Sequence, residues 1–111
     1  MANKIIETNV EVLIPDNKSF NKHTEYGMHI LEESIRKFGL GRSILIDKNN
    51  RIIAGNGVVE TASQIDLDKV LVVETKGNTL VAVKRTDIDL DSAKGRELAL
   101  ADNATGKANL A

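Results

Sequence analysis

The sequence predicts one small α+β domain, with a small mixed sheet and three helices in the order β-α-β-β-α-β-β-α. Three observations carry this. The chain is 111 residues long, room for one ordinary domain. Apolar residues recur at helical spacing in some stretches and in short strand-like runs in others. The runs are joined in pairs by Asn- and Gly-containing turns, so hairpins and helices interleave. Residues 1–103 are expected to form the domain, and the small, polar residues 104–111 a flexible tail.

Residues 10–14 alternate and stop at Pro15, which predicts a first short strand. Residues 16–24 are polar, rich in Asn and Lys, and read as a loop. Met28, Leu31, Ile35 and Phe38 then recur at spacings of three and four, with Glu32, Glu33, Arg36 and Lys37 between them. This predicts a helix over 25–38, ended by Gly39. Ile44, Leu45 and Ile46 form a strand core, and Asp47-Lys48-Asn49-Asn50 has the chemistry of a turn. Residues 51–54 return as the second strand of that hairpin. After Gly55-Asn56-Gly57, the residues Val58, Ala62 and Ile65 share one face of a short helix. Residues 70–74 and 80–85 flank Lys76-Gly77-Asn78 and predict a second hairpin. Asp91 or Ser92 can cap a last helix that reaches about Asp102.

Composition excludes several functions. No apolar run exceeds four residues, so none is long enough to cross a bilayer as a helix. Lys4, Glu7 and Glu11 stand where a secretory leader needs an apolar stretch, and a cytoplasmic location is expected. The absence of Cys removes disulfides, thiol catalysis and thiolate metal sites together. A net charge of −1, one Tyr, two Phe and no Trp are poor material for non-specific nucleic-acid binding, so the domain by itself should hold DNA weakly.

The segment Arg51-Ile-Ile-Ala-Gly55-Asn56-Gly57 is the main candidate for ligand chemistry. A strand ends in a glycine turn and a helix starts at once. Such a helix start offers unpaired N–H groups and the positive end of the helix dipole to an anion. A connection that merely needs a positive φ has the same sequence, and both readings stay open. A dinucleotide fingerprint fails because Glu60 stands at its third glycine position. Asp87, Asp89 and Asp91 suggest a calcium loop, but Ser92 and Leu98 occupy the positions that need Gly and Glu. A solvated acidic connector ahead of the last helix is the better reading. His23 and His29 lack a third ligand at metal spacing, and no catalytic residue is assigned.

Read in order, residues 10–103 resemble the N-terminal domain of ParB proteins, which shares its fold with sulfiredoxin. The resemblance rests on Val12-Leu13-Ile14-Pro15-Asp16, on Leu31-Glu-Glu-Ser34-Ile35-Arg-Lys-Phe-Gly39, on the hairpin from Ser43 to Gly55, and on Arg96-Glu-Leu-Ala-Leu-Ala-Asp102-Asn103. The last segment is closest to phage-type relatives that often precede a DNA methyltransferase. Two departures stand out. The Gly-Glu-Arg-Arg of ParB proteins, or Gly-Cys-His-Arg of sulfiredoxins, is here Gly55-Asn56-Gly57-Val58. Sulfiredoxin redox chemistry is thereby excluded, and the usual triphosphate arginine is missing. Arg42-Ser43 stands where ParB proteins show Gln-Pro, and an arginine fork beside a hydroxyl there would supply an anion contact.

The resemblance implies a nucleotide-phosphate-binding module of a DNA-transaction protein, serving partition or modification of phage or mobile-element DNA. The expected phosphate ligands are Arg42, Ser43, Gly55, Asn56, Gly57 and Asn103. The resemblance places a metal at Asp102 and implies CTP or ATP with Mg²⁺ as the ligand. Two other readings remain: a non-catalytic scaffold that recruits a partner enzyme such as a DNA methyltransferase, and a ParB-like nuclease.

Overall fold

The computed structural model describes residues 4–15 and 25–110, with side chains as far as Asp102. Its elements are β1 (Lys4–Asn9), a 3₁₀ turn (Val10–Val12), α1 (Glu25–Phe38), β2 (Leu45–Ile46), β3 (Ile52–Ala54), α2 (Asn56–Gln64), β4 (Lys69–Glu74) and α3 (Ala93–Leu110). The chain is a mixed α+β domain with three helices, as the patterning predicts. The loop expected at 16–24, with His23, lies outside the described residues.

Two of the expected strands are corrected. The first is not at 10–14 but at Lys4–Asn9, where it pairs antiparallel with β4, Lys4 opposite Glu74 and Asn9 opposite Lys69. Residues 10–12 instead turn tightly, with the Asn9 side chain accepting from the Glu11 N–H at 3.0 Å. Leu13 drops into the core and Ile14 bridges in parallel to Arg51, on the free side of β3. In place of one small mixed sheet there are two antiparallel pairs, β1–β4 and β2–β3, with that single parallel bridge beside the second. The second correction removes the strand at 80–85, so β4 has β1 as its sheet partner. The order is therefore β-α-β-β-α-β-α.

The cause of the second correction is Arg85. Its Nη1 donates to the carbonyls of Phe38 at 2.7 Å and Leu40 at 3.4 Å. Its Nε and Nη2 grip Asp87 at 2.9 and 2.8 Å. A cation at a helix C-terminus satisfies orphan carbonyls and matches the dipole, and holding it there draws residues 80–84 away from β4. α1 keeps its expected bounds, and Gly39 ends it with φ 80°.

The core is small. Leu13, Ile35, Phe38, Ile52 and Ala62 are buried, and α1 packs against α2. Met28, Leu31, Ile44, Ile46 and Val72, expected in the core, are half-buried. Ser92 caps α3, accepting from the Gly95 N–H at 3.0 Å while its hydroxyl donates to the Asp89 carbonyl at 2.6 Å. A Cβ at Gly95 would overlap that same carbonyl, so the first turn of α3 lies directly on the preceding connector. α3 also runs past Asp102 to Leu110.

Candidate functional site

The β2–β3 hairpin organises the site. Asp47 builds its turn: its carboxylate accepts from the N–H groups of Asn49 and Arg51 at 2.8 and 2.9 Å, and Asn50 takes φ 66°. The bonds from Arg51 and then Asn49 hold the Asp47 carboxyl below the ordinary aspartate range. At the open end, Leu45 pairs with Ala54, and the chain leaves β3 through Gly55.

Gly55 has φ 109° and ψ 20°, and a Cβ there would overlap the Ile44 side chain. Glycine is required both for the backbone angle and for the contact. The glycine turn is thus pressed against Ile44. Asn56 is half-buried and Gly57 buried. No side chain caps α2, and its first turn carries no acidic group. Glu60, one turn further on, is exposed.

Arg42 and Asp102, expected at phosphate and metal respectively, meet each other. Arg42 Nε donates to Asp102 Oδ1 at 2.8 Å and Nη2 to Oδ2 at 2.9 Å. Both parallel N–H groups of that edge are engaged, the geometry an arginine uses for carboxylate or phosphate. The bonds to Asp102 make the guanidinium still harder to deprotonate than a free one. Beside the pair lies an open groove of about 390 Å³, lined by Gly41, Arg42, Ser43, Val81 and Val83. Asn103 follows in α3, and its side chain lies outside the described ones.

The other sequence candidates take structural roles. Asp87 pairs with Arg85, Asp89 accepts from the Asp91 N–H at 2.8 Å, and Asp91 pairs with Arg96 at 2.7 Å. The acidic run is therefore a connector stitched to its neighbours, not a cation loop. His29 lies 3.0 Å from Glu33, one turn along α1. Among the described residues no group of three His, Asp or Glu side chains is gathered as metal ligands would be, and no helix is long and apolar enough to cross a membrane.

A protein of Escherichia coli, the ParB-like nuclease domain-containing protein YnaK, is 34% identical to this chain over 76 residues. The match covers 68% of this chain and 87% of that protein. The chain belongs to the ParB-like family. No family profile and no solved structure matches it. In this ParB-like chain the glycine turn packs on Ile44, while the groove at Arg42 is lined by Gly41, Ser43, Val81 and Val83 and by no residue of the glycine turn. Sequence reasoning chose Arg42 and Asp102 separately, each for an external ligand. An oppositely charged pair set 60 residues apart carries no local signal of contact.

Proposed function

We propose that this ParB-like domain binds the phosphate groups of a nucleotide, as a module of a DNA-transaction protein. The observation that supports this best is the Arg42 fork, which already grips an oxyanion, the Asp102 carboxylate, at 2.8 and 2.9 Å. Carboxylate and phosphate are the two groups that this geometry suits. Ser43 adds a hydroxyl, and the uncapped start of α2 adds the N–H groups of Gly57 and its neighbours.

The donor set fits an anion better than a cation. Both Asp102 oxygens are committed to Arg42, so a divalent ion would enter with the nucleotide rather than wait in a protein cage. Arg42, Ser43 and the α2 amides would hold the phosphates, and Asn103 follows next to Asp102 in α3. Bound Mg²⁺ would neutralise phosphate charge. The name of the E. coli relative includes a nuclease domain; phosphate recognition is a requirement that a nuclease and a nucleotide sensor share. One observation favours a second reading. A fork filled by the chain's own carboxylate is also what a scaffold without a ligand would show.

The test is thermal unfolding against CTP, ATP and GTP, each with and without Mg²⁺. A ligand at 100 times its Kd adds about 2.7 kcal/mol, a shift of roughly 10 °C for a domain of this size. Stabilisation by one nucleotide, lost in Arg42→Ala, is the expected result. No shift with any nucleotide at millimolar concentration gives the scaffold reading first place.

A further inference from the structure

We propose that the Arg42–Asp102 pair is a latch: Asp102 occupies the phosphate fork in the unliganded chain, and an arriving phosphate takes Arg42 and frees α3 from residues 41–43. This rests on the phosphate-binding reading and adds a regulatory consequence to it. Three observations carry it.

The first is chemical identity. The Nε–Nη2 edge of Arg42 makes two parallel bonds to two oxygens of one anionic group, and a phosphate offers the same two acceptors. The guanidinium's remaining edge does not evade the competition. A phosphate there sits within a few ångströms of the Asp102 carboxylate, inside the Debye length, and like charges at that range repel.

The second is cost. The side chains are 59% and 46% exposed, so the pair is a weak surface bridge that a divalent or trivalent anion can outcompete. A buried pair would be a permanent strut.

The third is where α3 is otherwise held. Its first turns are fixed by the Ser92 cap and by Gly95 lying on the Asp89 carbonyl, and the exposed 2.9 Å bridge from Lys37 to Glu97 adds little. Arg42 grips the helix further along, at Asp102, more than a turn beyond Glu97. Opening the latch therefore loosens the distal part of α3 while its base stays in place. Occupancy of the phosphate site becomes a change in how α3 is held, which is a form that a partner protein can read.

The experiment uses the full chain and inorganic phosphate, followed by CTP and ATP with Mg²⁺. The variants are Asp102→Asn, Arg42→Lys and, as a charge control on the same helix, Glu97→Gln. Phosphate affinity is read from the amide shifts of Ser43 and Gly57, and the state of α3 from amide hydrogen exchange. Asp102→Asn should bind phosphate about five- to tenfold more tightly than the wild type, and Glu97→Gln within about twofold of it. Without ligand, Asp102→Asn and Arg42→Lys should both speed exchange around residue 102 several-fold and leave Gly95 to Glu97 unchanged, and phosphate should do the same to the wild type. If phosphate binds but Asp102→Asn gains no more than Glu97→Gln, or α3 exchange ignores phosphate, the latch is wrong and the binding reading stands. If no variant shows shifts at Ser43 or Gly57 up to tens of millimolar phosphate, both fall together.

Discussion

Replacing Gly55 by alanine tests the geometry that the candidate site depends on. The residue sits at φ 109°, and an added Cβ would lie 2.8 Å from Ile44 Cβ and closer still to Cγ2. Two costs follow. An L-residue forced into a left-handed backbone loses about 1–2 kcal/mol. Crowding a methyl group into an occupied contact costs about 1–3 kcal/mol more. Ile44 has little freedom to step aside, because Leu45 beside it is paired with Ala54 in the same hairpin. The expected loss is therefore about 2–5 kcal/mol, a large share of the roughly 5–15 kcal/mol that stabilises a domain. Urea unfolding followed by far-UV circular dichroism reads this as a lower midpoint at unchanged slope. The second arm is Ile44→Ala, which removes Cγ2. In that background the cost of Gly55→Ala should shrink by about 1 kcal/mol, since the Cγ2 overlap goes while the 2.8 Å approach to Cβ and the backbone strain stay. A loss under about 0.5 kcal/mol, or equal losses in both backgrounds, would refute the close approach of the glycine turn to Ile44.

Three further outcomes are expected. Arg85's hydrogen bonds hold the Asp87 carboxyl down at about 2, against about 3.9 for a free aspartate. A depressed folded pKa gives stability that is present above the unfolded value and lost as pH falls towards the folded one; the midpoint should drop between about pH 4 and pH 2, and Asp87→Asn should flatten that limb in acid titrations of unfolding. Thr61 is fully buried and among the described residues its hydroxyl has no partner, so Thr61→Val should leave thermal stability unchanged or raise it by up to about 1 kcal/mol, and a loss above about 1 kcal/mol would reveal a hidden bond. Asp66 follows α2 with φ 64° while the Leu67 N–H closes onto the Ala62 carbonyl at 2.8 Å; Asp66→Gly relieves left-handed strain but gives the unfolded chain about 0.4–1 kcal/mol of extra freedom, so the melting temperature should rise by no more than a few degrees, and a fall would show that the carboxylate is needed there.

What could be read from the sequence was local. The helix at Glu25–Phe38, the Asp47–Asn50 turn, the glycine exit at Gly55 and the Ser92 cap each depend on side chains within a few positions of one another. The failures were all non-local. Lys4–Asn9 has an ordinary strand sequence, but its partner is β4, far along the chain, and the clearer alternation at 10–14 drew the assignment instead. Residues 80–85 have strand composition, yet the carbonyls of Phe38 and Leu40 claim Arg85 and hold the segment elsewhere. At the candidate site, the sequence marks Arg42, Ser43 and the glycine turn as expected anion contacts, and the turn's need for glycine at Gly55 is what the structure shows of them. That Asp102 fills the fork was not, since charge type at two distant positions does not reveal that they face each other.

The pairing of β1 with β4 has a consequence for how the molecule assembles. Its partners lie 60 to 70 residues apart, so the ribbon closes a long loop. Loop-closure entropy must be met before such contacts return anything, whereas the β2–β3 hairpin and the α1–α2 contact close much shorter loops. The ribbon should accordingly be the last part to zip and the first to open. Substitutions at Ile6 or Val72 should then speed unfolding with little effect on the folding rate, while substitutions at Ile52 slow folding itself. On this account the strand nearest the N-terminus acts as a clasp, drawn across a domain whose β2–β3 hairpin and α1–α2 contact have already formed.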